Sequence, residues 1–291
     1  MSKPSRRFAL LISAWDDGVA SWNPIIASAG KIRLDSFNND RENMRQFLID
    51  HAGFDRTCIY ELKATQKTTP DEVRSWFASL KAFCLREDSE AFVVVHYSGH
   101  GTFKVDADGD EKAESSGGGG GWGFRRRLKF PKDEILAVHE DCCIVDDELH
   151  ELLDFGSKTS TLCLLDCCHS GTMADLKFKY AAKGAKAALE PRVARKDERR
   201  ALHRVISISG CTDKQEAKMS AHDGEIVGNL TKSLLVAWRE EGGLELPILT
   251  DLIPRAHVEV DQLTHGTQRP QLCASFHIAT QATPFNPSSW A

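Results

Sequence analysis

Hydrophobic and polar positions alternate along the chain between two kinds of segment. Short, β-rich apolar runs read as strands: Phe8 to Ser13, Cys58 to Leu62, Ala91 to Tyr97, Thr161 to Leu165, Val205 to Ser209 and Ser275 to Ile278. Longer amphipathic stretches read as helices: Asp40 to Asp50, Pro70 to Leu85, one from about Asp146, Val227 to Glu240 and Thr250 to Leu263. Runs of about six apolar residues suit strands buried on both faces, as in a parallel sheet, and their alternation with helices is the βαβ pattern. The Pro70 helix carries its own start signal, with Thr69 as cap, Pro70 at the first helical position and Glu72 closing a capping box. The expected fold class is α/β, a three-layer sandwich with a central, mostly parallel sheet of about six or more strands flanked by helices.

Two segments break the pattern. Residues 104–132 hold an acidic stretch, the run Gly117 to Gly121 and Arg125-Arg126-Arg127, and read as a flexible insertion. Residues 177–200 carry nine Lys and Arg against Glu190, Asp197 and Glu198, and read as an exposed basic linker. The division is therefore a large part, 1–176, the linker, and a small part, 201–291, completing one domain.

Composition narrows the function. A net charge of −5 offers no basic stripe for nucleic acid. No apolar stretch reaches the roughly 20 residues of a membrane span, and Met1 to Arg7 leads into a strand instead of a signal-peptide core, so a cytoplasmic protein is expected. Nine cysteines, several inside apolar runs, read as reduced thiols. The adjacent pairs Cys142-Cys143 and Cys167-Cys168 lack the spacer of a structural zinc site.

The chemistry lies where two strand runs end. One runs into His96-Tyr97-Ser98-Gly99-His100-Gly101, the other into Asp166-Cys167-Cys168-His169-Ser170-Gly171. Open α/β sheets place their chemistry at such strand ends, and a His on one loop with a thiol on the next points to a cysteine nucleophile with a histidine partner.

Together, in this order, the two motifs resemble the caspase-like cysteine peptidases, and in particular the metacaspases with the large part first. Further likeness lies in Ser36-Phe37-Asn38-Asn39-Asp40, Val145-Asp146-Asp147-Glu148-Leu149, Ser207 to Gln215 and Gln268-Arg269-Pro270-Gln271-Leu272. The resemblance implies Cys168 as nucleophile, His100 as general acid and base, and the N–H groups of Gly101 and Cys168 as oxyanion donors. Cys167 is then a bystander and His96 a structural histidine. It also implies a pocket formed by Asp40, Ser98 and Asp166, with Phe37 on its wall where the family has Cys. Two carboxylates favour a cationic side chain, so cleavage after Arg or Lys is expected; a helix N-cap is the bland alternative for Asp40.

The family's calcium ligands map onto Asp133, Asp146, Asp147 and Asp175, although the segment from Asp133 to Asp146 is three residues short and Ala137 and His139 replace Pro and Asp. Asp146 and Asp147 can equally be dipole-favoured residues at a helix start. Asp106 to Asp110 does not fit an EF-hand, because its Gly falls at loop position four and no Glu occupies position twelve.

The expectation is a calcium-stimulated endopeptidase acting on proteins or peptides with Arg or Lys before the scissile bond, as a monomer. Self-cleavage would occur in the basic linker, with Lys183, Lys186 and Arg192 as candidates. A catalytically weak or inactive caspase-like scaffold is the first alternative, and a metal-binding interaction protein built on the cysteine pairs the second.

Overall fold

The computed structural model describes residues 6–15, 30–86, 90–105, 132–139, 141–181, 190–193, 202, 204–240 and 249–278. Its centre is an eight-stranded sheet. In chain order the elements that build the molecule are β1 (Arg6–Ser13), α1 (Gly30–Asp50), β2 (Ile59–Lys63), α2 (Pro70–Leu85), β3 (Ala91–Ser98), β4 (His100–Val105), β5 (Lys132–His139), β6 (Cys142–Val145), α3 (Asp146–Leu152) and β7 (Thr159–Asp166). There follow β8 (Phe178–Ala181), β9 (Glu190–Val193), β10 (Val205–Ser209), β11 (Met219–His222), β12 (Glu225–Gly228), α4 (Asn229–Glu240), α5 (Leu249–Thr264) and β13 (Gln271–Ala274).

The sheet order is β2-β1-β3-β7-β10-β13-β8-β9. From β2 to β10 the pairing is parallel, and from β10 onward each pair is antiparallel. All eight residues of β3 and all eight of β7 are buried, as continuous apolar runs covered on both faces require. The period of two divides each strand between two cores. Val93, Val95 and Tyr97 of β3 join a cluster with Val73, Phe77 and Leu80 of α2 and Leu149 of α3. Phe92 and Val94 join Met44, Phe47 and Leu48 of α1 and Leu234, Leu235 and Trp238 of α4 on the other side. Phe47 and Trp238 stack with ring centroids 5.0 Å apart; full burial of a side chain of this size contributes roughly 1.5–3 kcal/mol.

The cap expected for α2 is present: Thr69 Oγ1 accepts from Glu72 N at 3.2 Å, worth about 1 kcal/mol. Other expectations are corrected. Helix α1 begins at Gly30, ten residues before the predicted start, because its first half carries Ser36, Asn38, Asn39 and Asp40 and too few apolar positions to read as periodic. The last strand is Gln271–Ala274 and not Ser275 to Ile278; the pairing of Leu272 with Ile208 selects the earlier register.

The two interrupting segments also contribute strands. Residues 104–105 and 132, at the ends of the Gly-rich insertion, belong to β4 and β5, which pair with each other in a separate three-stranded sheet of order β4-β5-β6. The stretch 177–200, read from its charge as an exposed linker, holds β8 and β9, which extend the central sheet beyond β13. Residues 106–131, and Lys183 and Lys186, lie outside the described residues. No helix among the described residues is long and apolar enough to cross a membrane.

Candidate active site

Parallel pairing fixes where the two motifs meet. Strands β3 and β7 are adjacent and in register, with Ser98 opposite Asp166, so both chains leave the sheet at the same edge. Gly99 N donates to Asp166 O at 3.3 Å across that edge. The two loops then touch: a Cβ on Gly101 would lie 1.9 Å from the Cys168 carbonyl oxygen. No side chain fits there, so glycine is what lets the His100 backbone lie directly on the Cys168 loop. Tyr97, fully buried, reaches from β3 with its hydroxyl 2.9 Å from His100 O and 2.8 Å from Ala137 O, pinning the start of β4.

His100 and Cys168 face a common cavity of about 260 Å³, lined also by Arg33, Ser36, Phe37, Asp40, Ser98 and Asp166 and by Glu216 to Met219 and Gly228. The Cys168 thiol donates to Ala217 O at 3.8 Å. Burial pushes its pKa up, and Glu216 and Asp166 add to this while Arg33 opposes it. Phe37 sits edge-to-face with His100, ring centroids 5.2 Å apart and planes at 89°, so it borders the histidine as well as the cavity. Cys167 is 1% exposed and faces the core; burial raises its thiol pKa well above the usual range.

His169 has φ +53°. It is held by its own N–H to Gln215 O at 3.2 Å and by its Nδ1 on Asp213 O at 2.8 Å. Asp213 Oδ1 also accepts from Thr172 N at 2.7 Å. The segment after β10 thus holds the Cys168 loop in shape.

At the base of the cavity are two buried carboxylates. Asp40 lies within α1, ten residues past its start, which excludes the N-cap reading. Its Oδ2 accepts from Ser98 Oγ at 2.6 Å and its Oδ1 from Gly228 N at 2.8 Å. Asp166 Oδ2 accepts from Thr231 N and from Thr231 Oγ1, both at 2.8 Å. Gly228 stands between the pair: a Cβ there would be 2.2 Å from Asp166 Oδ2 and 2.8 Å from Asp40 Oδ2. Burial raises both carboxyl pKa values, and for Asp40 the neighbouring Asp166 charge raises it further.

Gly228, Thr231 and Tyr97 are contributors that sequence reasoning did not single out. A Gly at the end of a short polar strand and a Thr in the first turn of a helix have ordinary local explanations, and only the packing of α4 against β7 brings them to Asp166.

Among the described residues, the one group of three or more ligand side chains that could hold a metal ion is Asp146, Asp147 and Asp175, with carboxylate oxygens within 4.8 Å of one another. Asp146 and Asp147 open α3, where Val145 is the cap residue and makes no side-chain cap bond. Asp146 Oδ1 accepts from Asp147 N at 2.9 Å and Oδ2 from Glu134 N at 3.3 Å. Asp175, at φ +50°, comes from the segment after Cys168. An all-oxygen donor set fits a hard cation such as calcium and not a thiolate- or imidazole-seeking ion. Asp133 does not join the group. All nine cysteines are free.

A caspase domain family model matches residues 25–277. Metacaspase-2 of Trypanosoma brucei brucei is 36% identical over 125 residues, 41% of this chain and 31% of that protein. Metacaspase-1 of Scheffersomyces stipitis is 33% identical over 178 residues, 58% of this chain and 39% of that protein. The chain thus matches well under half the length of these curated relatives. Among solved structures, caspase-1 from Spodoptera frugiperda superposes with a TM-score of 0.55 at 12% identity, covering 94% of this chain and 88% of that one. A protein from Geobacter sulfurreducens gives 0.56 at 18%, covering 94% and 95%. Fold, family match and the meeting of the two strand-end motifs lead to one conclusion: the chain belongs to the caspase-domain family of cysteine peptidases.

Proposed function

We propose that the protein is an endopeptidase that cleaves after Arg or Lys, with Cys168 as nucleophile and His100 as general acid and base. The observation that carries this reading is the buried carboxylate pair, Asp40 and Asp166, at the base of the cavity onto which His100 and Cys168 open. In the empty pocket both carboxyl groups titrate high, because burial and their mutual repulsion oppose ionisation. A guanidinium or ammonium relieves that repulsion, whereas an acidic side chain would add to it. Ser98 and Phe37 shape the pocket, the first by orienting Asp40 and the second by closing the wall beside His100.

In the reaction His100 accepts the Cys168 proton as sulfur attacks the scissile carbonyl carbon. The oxyanion is received by the N–H groups of Gly101 and Cys168. Collapse expels the amine, protonated by His100, and leaves a thioester. Water, deprotonated by the same histidine, then releases the acid and restores the thiol.

Calcium would be held by Asp146, Asp147 and Asp175. Bound there it supplies positive charge that offsets three clustered carboxylates and ties the segment after Cys168 to the start of α3. Self-cleavage belongs to the same reading. Arg192 lies in β9, paired opposite Lys179 of β8, so cutting after it requires that strand to unpair. Lys183 and Lys186, the other two candidates, lie outside the described residues. A monomer is supported by β13 being paired on both sides, by β10 and by β8. A cytoplasmic location is in keeping with the expected reduced thiols.

Hydrolysis of matched fluorogenic peptides ending in Arg, Lys or Asp, with and without calcium, by wild type and Cys168→Ala, tests this function. Calcium-dependent turnover of the basic peptides, lost in the variant, is the expected result. Turnover of the Asp peptide would overturn the specificity, calcium-independent activity would remove the cation's role, and no turnover would favour the inactive scaffold.

A further inference from the structure

We propose that His96 is a positioning residue for substrate selection, holding the Asp166 carboxylate in its pocket through the hydroxyl of Thr231. The proposal rests on the Arg/Lys reading of that pocket and extends it to a group that never touches substrate. On β3, residues 96 and 98 point to the same face. Ser98 reaches Asp40 there, and His96 reaches Thr231, with Nε2 3.1 Å from Oγ1. The two residues thus serve the two carboxylates of one pocket from one strand.

Counting protons fixes the direction of the chain. Thr231 Oγ1 has one hydrogen and lies 2.8 Å from Asp166 Oδ2. Burial raises the Asp166 pKa to about 6, so above that pH it is ionised and can only accept; the hydroxyl hydrogen then goes to Asp166 and the hydroxyl lone pair takes a hydrogen from His96. His96 is therefore the Nε2–H tautomer. The opposite tautomer would set two lone pairs against each other and bury an N–H on Nδ1 with no acceptor, since Nδ1 has no hydrogen-bond partner among the described residues. The ring is 1% exposed, and burial holds it neutral, pushing its pKa down to about 3. A neutral ring donates one hydrogen without adding a cation to compete with the substrate's charge.

The consequence is a carboxylate with one oxygen committed. Asp166 Oδ2 receives both the N–H and the O–H of Thr231, which leaves Oδ1 for the incoming cation. Without His96 the hydroxyl is free to turn, and the carboxylate loses an oriented donor.

Three measurements test this. The first is long-range ¹H–¹⁵N NMR of the His96 ring in wild type and Thr231→Val, which requires no turnover. An Nε2–H tautomer with a slowly exchanging proton, exposed to faster exchange in the variant, is expected; an Nδ1–H tautomer would overturn the proposal. The second is peptide kinetics of His96→Phe and His96→Gln. The Phe variant should raise KM for Arg and Lys peptides roughly five- to tenfold, the ordinary worth of one buried hydrogen bond, with kcat little changed. The Gln variant, whose side-chain amide can donate in place of Nε2–H, should restore most of the loss.

The third is the rate of Cys168 alkylation by iodoacetamide, which should match wild type in both variants. An unchanged KM in His96→Phe, or a joint fall of kcat and alkylation rate that Gln does not rescue, would assign His96 to packing alone. Absence of Arg and Lys turnover in wild type would instead count against the proposed function, and the tautomer measurement would still decide the hydrogen-bond chain.

Discussion

Replacing Gly228 by Ala tests the pocket at its most crowded point. The new Cβ would fall 2.2 Å from Asp166 Oδ2, 2.7 Å from Asp166 Cγ and 2.8 Å from Asp40 Oδ2. All three are more than half an ångström inside an ordinary van der Waals contact, and neither carboxylate is free to retreat. Asp166 Oδ2 is held by both donors of Thr231, and Asp40 by Ser98 and by Gly228 N itself. Overpacking of this kind costs about 1–3 kcal/mol. A carboxylate that swings aside also forfeits hydrogen bonds worth about 1.5–3 kcal/mol each.

The loss falls on the groups that would bind the substrate cation, so about 3 kcal/mol should appear in kcat/KM for Arg and Lys peptides, a fall of roughly a hundredfold. Gly228 has no left-handed φ, so backbone strain does not confound the result. The assay pairs peptide hydrolysis with iodoacetamide labelling of Cys168, which needs no occupied pocket. Undiminished kcat/KM in a folded Gly228→Ala protein would refute the geometry, and an equal fall in labelling would mean that the damage had spread to the nucleophile.

Gly101→Ala should act on the other end of the site. With a Cβ 1.9 Å from Cys168 O, the two loops must part, and both turnover and the pH profile of thiol labelling should change while Gly228→Ala leaves labelling alone. Tyr97→Phe removes the hydroxyl shared by His100 O and Ala137 O; with two buried acceptors affected, stability should fall by about 1–3 kcal/mol in a denaturant melt, and kcat should fall more than KM rises. Asp166→Asn should trade function for stability. Both carboxyl pKa values are raised in the fold, so their contribution to stability is fully present below the unfolded value of about 4 and is lost as pH rises through the folded values. The variant should therefore gain stability relative to wild type as pH rises from 4 to 8, measured by thermal melts, while losing turnover of basic peptides; a stability difference independent of pH would contradict the raised pKa.

How far the sequence could be read follows from which interactions are local. Strands β3 and β7 were legible because each is a continuous apolar run, and helices packed on both faces of the sheet bury every residue of such a run. Their parallel register then forces His100 and Cys168 to one edge, so the pairing of the two motifs was legible too. Strands β8 and β9 were not. Each is four residues long with one basic side chain, Lys179 in β8 and Arg192 in β9, inside a stretch whose nine Lys and Arg read as a solvated loop.

Helix α1 was half legible for a related reason: Ser36, Asn38, Asn39 and Asp40 give it little apolar signal, yet Ser36 and Asp40 are buried because that face lines a cavity instead of the core. Asp40, Ser98 and Asp166 could be named from a motif, but the other hydrogen-bond partners of the two carboxylates could not. Gly228, Thr231 and His96 converge on the carboxylates from β12, α4 and β3 across as many as 188 residues of chain, and no local pattern records that convergence. Burial opposes ionisation of both carboxyl groups, and the hydrogen bonds from Ser98, Gly228 and Thr231 are what oppose that burial, so most of the residues on which the pocket's charge depends are those least visible in the sequence.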